Sequence, residues 1–429
     1  MKFSGTLTKL LLPRIFITLM ILLFIRSGTF LPVPGIDHSV LAYFIKNEMF
    51  ENPKSLINTF LGDKAVIIGL FTLNIFPSLN ASILIQFLIG FSPQLNKLQK
   101  EGDFQSRRTI ARLTRKITLT LAIIQSIGIS LYLSRVLCLY EQSNWNIMLG
   151  IRIVIWLTTG SMIVLWLSEI ISTYGLGNGT SVLIYTNIVS NLPTLAQNVI
   201  DELNDNAVII SFMQKIELTI LISLALCAVV FLQSSVLTIY LISSKRLNQT
   251  SNRYDYDDYE ADGTYIPFRF NQAGVMPVIL TTSFLVIPNY LINLGLFQWL
   301  NFLKSFQWVY WIGYFILVLS FSSFYSSLVL NAKDLSEQLQ RQAVKIPGVR
   351  PGIQTIFYLQ QEIRRITLIG GTMLAFITIT PTFIESTLKI TSLNGLSTTS
   401  FLILAGVILD LRREISDIYL SEVYSERYK

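Results

Sequence analysis

Charged residues are scarce in this chain. Asp, Glu, Lys and Arg make up 14% of its 429 residues, whereas a soluble globular domain carries about 25%. Hydrophobic residues make up 52%, and stretches such as 218–232 contain no charged side chain. A chain with so few charged residues has too little polar surface to shield such stretches from water. The composition therefore excludes most soluble folds and indicates an integral membrane protein.

Cysteine and histidine are nearly absent. Cys138 and Cys227 lie far apart, in or beside apolar stretches, and His38 is the single histidine. Two distant cysteines form neither a disulfide framework nor a zinc site, and one histidine argues against a histidine-based metal site or a catalytic triad. No acid–base pair or activated nucleophile is evident in the sequence. We therefore expect a protein that is not an enzyme and that binds no metal or cofactor.

Ten apolar stretches approach the ~20 residues that a helix needs to cross a bilayer. They are 15–31, 75–91, 117–137, 153–171, 181–192, 218–242, 273–294, 308–330, 366–384 and 399–411. Several are short or interrupted: Pro77 breaks the path into the second, 175–179 is glycine-rich before the fifth, and Gly274 and Pro277 lie near the start of the seventh. Such helices are tolerated at membrane depth where protein or a water-filled cavity satisfies their backbone, which indicates an internal aqueous path.

Basic residues concentrate in alternate connections between these spans. The two termini and the second, sixth and eighth connections contain most of the 33 Lys and Arg residues. By the positive-inside rule, this side is cytoplasmic or lies in the equivalent compartment, with large loops at 243–270 and 331–365. The polar segment 193–215 separates five spans from five. This arrangement predicts an all-α fold of two pseudo-symmetric halves, 1–200 and 201–429, related as an inverted repeat.

Two loops superficially resemble ligand sites. The glycine-rich segment 175–179 has neither the spacing, the preceding strand nor the lysine of a phosphate-binding loop, so we interpret it as a tight turn into a helix. The acidic tract 255–262 begins like a calcium loop when read from Asp258, but the twelfth position is Arg269 instead of a glutamate. We expect this tract to be a solvated loop.

Two arginines each have two interpretations. Arg26 lies inside the first apolar span, where it either has a structural role near the outer interface or lines a pore. Arg350 lies between two Pro-Gly pairs in the segment 347–352, which is either a simple turn or a rigid docking surface for carboxylate or phosphate groups.

Six motifs, in order along nearly the whole chain, resemble those of the SecY family of protein translocase channels. They are Pro32-Val-Pro-Gly-Ile-Asp37, Phe76-Pro-Ser-Leu-Asn-Ala-Ser-Ile83, Gln125-Ser-Ile-Gly128, the segment 175–181, Asn271-Gln-Ala-Gly-Val-Met-Pro277, and Pro347-Gly-Val-Arg-Pro-Gly352 with Gln354 and Thr355. The resemblance implies ten helices in two five-helix halves around an hourglass pore. The implied function is to pass unfolded polypeptides across the membrane and to release transmembrane segments sideways through a lateral gate.

The resemblance also implies a ring of aliphatic side chains that narrows the pore. Carried onto matching positions, the ring consists of Leu79, Ile83, Ile184, Ile188, Ile279 and Ile403. Leu79 and Ile83 are four residues apart, as are Ile184 and Ile188, so each of these two pairs shares one face of its helix. Aliphatic side chains can surround a moving peptide without binding it, and a hydrophobic constriction resists water and ions. For any single position, ordinary helix packing is the alternative.

Other parts follow from the same resemblance. A plug helix is expected at about 56–66, and the polar residues Ser82, Gln125 and Asn271 are expected at the lateral gate. Arg350 is expected to help dock a partner. The implied partners are a SecE-like subunit, an optional SecG-like subunit, a SecA-like motor ATPase or the ribosome, signal-bearing preproteins and membrane lipid.

Two alternatives remain open at the level of sequence. A secondary transporter also contains inverted repeats and broken helices, and Glu169 and Arg26 are the candidates for its solute site. A purely structural membrane scaffold is the third interpretation. The abundance of Ile, Leu, Asn and Ser resembles a plastid-encoded copy in the thylakoid membrane, with the bacterial plasma membrane as the alternative location.

Overall fold

The structure is a computed structural model. It describes residues 5–34, 69–101, 103–139, 147–204, 223–224, 226–243, 265–272, 274, 276–278, 280–281, 284, 307–388 and 398–427. The chain divides into two compact units, one formed by Met1–Thr194 with Asp410–Lys429 and the other by Leu195–Leu409. Each unit is described by itself.

The first unit consists of helices. In chain order they are α1 Gly5–Thr29, α2 Phe76–Phe91, α3 Pro93–Glu101, α4 Phe104–Leu139, α5 Ile147–Tyr174 and α6 Gly179–Asn204, whose last residues belong to the second unit. The C-terminal part of α10, Thr398–Arg427, completes this unit. α2 packs on α4, α4 on α5, and α1 on α5.

Proline and glycine set the starts of two of these helices. α2 begins at Phe76, with Pro77 in its first turn, where the missing N–H of proline has no intrahelical partner to lose. This start confirms the predicted break before the second span. The turn between α5 and α6 contains Gly177 at φ +82, a left-handed conformation that glycine adopts without steric cost. The predicted tight turn at 175–179 is also confirmed.

One apolar cluster joins α1, α2, α5 and α6. Its buried members are Ile25, Phe71, Ile75, Leu79, Val164, Leu167, Ile171 and Leu183. Several are completely inaccessible to solvent, including Val164 and Ile171. The segment 69–75, which leads into α2, supplies two members, so this non-helical segment is part of the core and not a surface loop.

The second unit contains helices and short strands. Its elements are β1 Val236–Tyr240, β2 Ile242–Ser243, β3 Tyr265–Arg269, α7 Gln307–Val329, α8 Ala332–Arg341, β4 Val344–Lys345 and α9 Ile353–Leu388. β1 pairs with β3 and β2 with β4, both antiparallel. α7 and α8 both pack on α9.

The strands correct the predicted sixth span. That span was expected to be helical as far as residue 242, but the helical residues end at 234 and β1 begins at Val236. Ile239 of β1 and Phe268 of β3 pack with Leu339, Ile346 and three buried side chains of α9 into a separate cluster. The predicted loops 243–270 and 331–365 therefore contribute, with β1, to a small folded core of their own.

Four helical segments are long and apolar enough to cross a membrane, within the residues described. They are Leu11–Thr29, Ile147–Tyr174, Trp311–Arg341 and Ile353–Thr380, with Phe76–Phe91 as a shorter apolar helix. Several helices exceed their predicted spans: α4 begins at Phe104, α9 begins at Ile353, and α6, expected to be a half-length helix over 181–192, runs from Gly179 to Asn204. The number of ten spans stays a prediction, because 205–222 and 285–306 lie outside the described residues.

Candidate pore and gate residues

The first two ring candidates are buried on one face of α2. Leu79 and Ile83 are each 7% exposed and lie one turn apart. Leu79 belongs to the cluster that α2 forms with α1, α5 and α6, in which Val164 and Leu183 are also buried. Because α2 begins at Phe76, both candidates lie in the first two turns of the interrupted helix.

The next two candidates lie on α6. Ile184 and Ile188 are half-buried, and Ile184 packs against the cluster that contains Leu79. The structure therefore brings ring candidates from two helices to the same apolar cluster. Ile184 keeps more solvent access than its neighbour Leu183, which is 2% exposed.

The last two candidates belong to the second unit. Ile403 is half-buried on α10, directly after the fully buried Leu402. Ile279 lies outside the described residues, as does the proposed plug at 56–66.

The proposed gate residues include two buried amides that lack a hydrogen-bond partner. Among the residues described, Gln125 Oε1 on α4 has none, and neither has Asn271 Nδ2, whose residue is 8% exposed. The third gate residue behaves differently, because the hydroxyl of Ser82 donates to the carbonyl oxygen of Ser78 within α2, at 2.8 Å. A buried polar group without a partner costs about 1–3 kcal/mol, so the two amides destabilise the conformation in which they are buried.

Three further buried amides were missed by the sequence analysis. Asn74 Oδ1, Gln86 Oε1 and Gln233 Nε2 also lack a partner within the part of the chain that is described. Gln86 lies four residues after Ser82 and so shares its face of α2. A polar residue within an apolar span was the available signal for Gln86 and Gln233. Asn74 was recognisable only by its position shortly before Pro77.

The tip of the loop between α8 and α9 presents Arg350 to solvent. Gly348 and Gly352 adopt positive φ angles of 73° and 108°, and the hydroxyl of the buried Thr355 donates to the carbonyl oxygen of Arg350 at 2.9 Å. The loop lies over the cluster that contains Ile346, which is 3% exposed. The exposed side chain of Arg350 is thus attached to a backbone that is held in place by the hydrogen bond from Thr355 and by packing on this cluster.

Arg115 of α4 and Glu169 of α5 form a bidentate ion pair. The N···O distances are 2.8 and 2.7 Å, and the side chains remain 56% and 37% exposed. Arg26, the other candidate for a solute site, lies in the last turn of α1 with its guanidinium 5.7 Å from the ring centroid of Phe30. Among the residues described, no group of three or more His, Cys, Asp or Glu side chains is placed to hold a metal ion.

Comparisons with known proteins agree along nearly the whole chain. A family profile described as SecY matches residues 69–412. The chain is 51% identical to the protein translocase subunit SecY of Trieres chinensis, over 97% of this chain and 98% of that protein. It is 36% identical to the subunit of Guillardia theta, over 96% and 95% of the two chains, and 35% identical to that of Synechococcus elongatus, over 97% and 94%.

Solved structures show the same fold. A structure described as a protein conducting channel superposes with a TM-score of 0.65 at 15% identity, covering 96% of this chain and 94% of the other. Sec61 in a canine ribosome-channel complex superposes with a TM-score of 0.59 at 14% identity, again covering 96% and 94%. At these identities the likeness concerns the fold, and the fold is that of a protein-conducting channel.

Proposed function

The chain belongs to the SecY family, and we propose that it is the pore-forming subunit of a protein translocase. The observation that carries this proposal is the near full-length identity of 51% to a protein translocase subunit. As a member of this family the chain is a channel and not an enzyme. It is a multi-pass integral membrane protein.

The proposed constriction consists of the six aliphatic ring residues. The burial of Leu79 and Ile83, and the contact of Ile184 with the same apolar cluster, support it. An apolar constriction excludes water and ions at rest, because dewetting a narrow apolar passage is favourable. A translocating peptide passes it without specific binding, since aliphatic side chains offer no hydrogen bonds that would hold one sequence over another.

The proposed lateral gate contains Ser82, Gln125 and Asn271. Gln125 Oε1 and Asn271 Nδ2 support a gate that is poised to open, because both atoms are buried without a hydrogen-bond partner among the residues that the structure describes. Hydrogen bonds between membrane helices contribute roughly 0.6–2 kcal/mol each. Gln125 Oε1 and Asn271 Nδ2 make no bond of this kind within the described residues, so a signal sequence or transmembrane segment that inserts sideways does not have to displace one there.

Energy for transport comes from partners in this proposal. The exposed Arg350, fixed through Thr355, is the proposed docking point for a SecA-like motor ATPase or the ribosome. A SecE-like subunit and an optional SecG-like subunit complete the complex. A structural neighbour, Sec61, is found in a ribosome-channel complex, which supports the ribosome as a kind of partner.

The location follows from the relatives. The chain is 51% identical to an algal subunit and 35% identical to a cyanobacterial one, which supports a plastid copy over a bacterial one. We propose the thylakoid membrane as its location.

The surroundings of Glu169 argue against the transporter alternative. Glu169, one of its two candidates, is ion-paired with Arg115 and is partly exposed, whereas a coupling carboxylate in a transporter faces a substrate cavity. The comparisons give no support to a small-solute transporter.

Reconstitution tests the proposed function against that alternative. The purified complex, with its motor and ATP, is placed in sealed vesicles, and two signals are followed: protease-protected preprotein and ion-driven uptake of small solutes. Motor-dependent protection of preprotein is expected. Solute uptake that Glu169→Gln abolishes, without any protected preprotein, would contradict the proposal.

A further inference from the structure

The backbone leading into α2 and the backbone leading into the helical residues 276–278 share several features among the residues described. In each, a proline lies among the helical residues described, as Pro77 of α2 or Pro277. Three residues before each proline the chain adopts a left-handed conformation, with φ 44° at Asn74 and 63° at Gly274. These positions belong to different halves of the chain, so the correspondence is a repeat.

The hydrogen bonds before these turns also correspond. The amide of Leu70 donates to the carbonyl oxygen of Leu31 at 2.9 Å, and the amide of Phe270 donates to that of Ser235 at 3.2 Å. Leu31 lies just beyond the end of α1, and Ser235 directly follows the helical residues that precede β1. In both halves, therefore, the segment is attached to the end of an earlier helix.

The residue pairs next to these two hydrogen bonds also correspond between the halves. Pro32 forms an antiparallel bridge with Gly69, and Val236 pairs with Arg269 in the β1–β3 ladder. The bridge in the first half is isolated, whereas the pair in the second half begins a five-residue ladder. The repeat thus keeps its hydrogen-bond register although the strands differ in length.

A glycine contacts the attached residue in each half. A Cβ on Gly160 of α5 would overlap the carbonyl oxygen of Leu70, and a Cβ on Gly370 of α9 would overlap that of Phe270. An alanine at either position would have to displace backbone, which is far less adaptable than the end of a side chain. Both segments therefore have an amide hydrogen bond and a glycine contact at the same residue.

We propose that Gly160 and Gly370 are positioning residues of the pore. Each fixes the backbone four residues before a left-handed turn, and the turn then sets the direction in which a proline-initiated helix leaves. Leu79 follows Pro77 by two residues, so Gly160 determines where this ring residue stands, and Gly370 acts in the same way on the helix that contains Pro277. This inference rests on the proposed channel function.

Matched glycine substitutions test the proposal. Gly160→Ala and Gly370→Ala are compared with Gly128→Ala on α4 and Gly313→Ala on α7, where an added Cβ meets nothing within 4 Å. Each complex is reconstituted in sealed vesicles, and ion efflux is measured without preprotein. We expect the first two variants to raise resting efflux about tenfold, the change that corresponds to 1.4 kcal/mol of closed-state stability. The two control variants should remain at the wild-type rate.

A second pair of variants addresses the turn without adding atoms to a packed contact. Asn74→Ala and Asn74→Gly both remove the same buried amide, but only alanine is strained at φ 44°. Asn74→Ala should therefore raise resting efflux, while Asn74→Gly should not. This comparison remains informative if an alanine at Gly160 prevents assembly.

Translocation by the wild-type complex in the same vesicles separates the possible failures. If wild-type translocates preprotein while the Gly160, Gly370 and Asn74 variants leak no more than their controls, the positioning role is overturned alone. If wild-type translocates nothing with its motor and ATP, the proposed function is overturned and the positioning role with it.

Discussion

Replacing Gln125 by leucine should stabilise the closed lateral gate. Gln125 Oε1 is buried on α4 without a hydrogen-bond partner in the described part of the chain, and such a group costs about 1–3 kcal/mol. Leucine has a similar volume and no polar atom, so Gln125→Leu removes this cost from the closed state. If the group is rehydrated when the gate opens, the opening equilibrium falls by the same free energy, which is roughly 5- to 150-fold.

The assay compares preproteins whose signal sequences differ in hydrophobicity. Insertion of a strongly hydrophobic signal sequence releases more free energy than opening the gate requires. Insertion of a weakly hydrophobic signal sequence releases little more than that amount. Gln125→Leu should therefore reduce translocation of the weak-signal preprotein much more than that of the strong one. Thr120→Val is the control on the same helix, because Thr120 is exposed and its hydroxyl already donates to the carbonyl oxygen of Ile117 at 2.8 Å.

Two results would refute this reasoning. If Gln125→Leu improved translocation of the weak-signal preprotein, the buried amide would be stabilising the closed gate instead of destabilising it. If both signals were affected equally, residue 125 would act outside the gating step. Thermal unfolding of the purified complex completes the test, because the variant should unfold at the same temperature as wild-type or a higher one.

Three further predictions concern other parts of the molecule. Arg350→Ala should lower motor-dependent translocation about tenfold, the loss of one charge-assisted contact of roughly 1.5 kcal/mol, whereas Arg341→Ala, at the end of α8, should not; equal rates for both would remove Arg350 from the docking surface. A double-mutant cycle of Arg115→Ala and Glu169→Gln should give a coupling of about 0.2–1 kcal/mol, as for exposed pairs, with unchanged translocation. Ile184→Asn should raise resting ion efflux and relax selectivity for signal sequences, while an effect on protein abundance alone would indicate ordinary packing.

The membrane helices of the fold could be predicted because their causes are local. Pro77 cannot continue a helix from its N-terminal side, so it marks the start of α2 directly in the sequence. Gly177 likewise marks the turn before α6, since a left-handed residue there favours glycine. The apolar stretches follow from the thickness of the bilayer, which requires no knowledge of tertiary contacts.

The strands could not be found in the same way. β1 continues an apolar stretch that begins as a helix, and hydropathy does not distinguish the two conformations over five residues. Its stability comes from pairing with β3 across a long connection and from the packing of Ile239 and Phe268 on α8 and α9. Contacts between residues so distant in sequence leave no local pattern.

The candidate site was predicted unevenly for a similar reason. The aliphatic ring residues and Arg350 came from motifs, and the structure places Leu79 and Ile184 at one cluster. Asn74 was missed, because its buried amide and its left-handed backbone result from the attachment of residues 69–75 to α1 and α5. The repeated glycine contact could not be predicted from sequence either, because the role of Gly160 and Gly370 depends on the backbone carbonyl groups that they contact in the folded structure.

Site-specific crosslinking from position 184 tests the central claim most directly. A photoreactive residue replaces Ile184 in native membranes, and a secretory chain is stalled during translocation; Ile155, an isoleucine of α5 that is 58% exposed, is the control position. The account predicts a crosslink to the stalled chain from position 184 and none from position 155. Absence of a crosslink at 184 in a complex shown to hold the stalled chain would contradict the proposed pore.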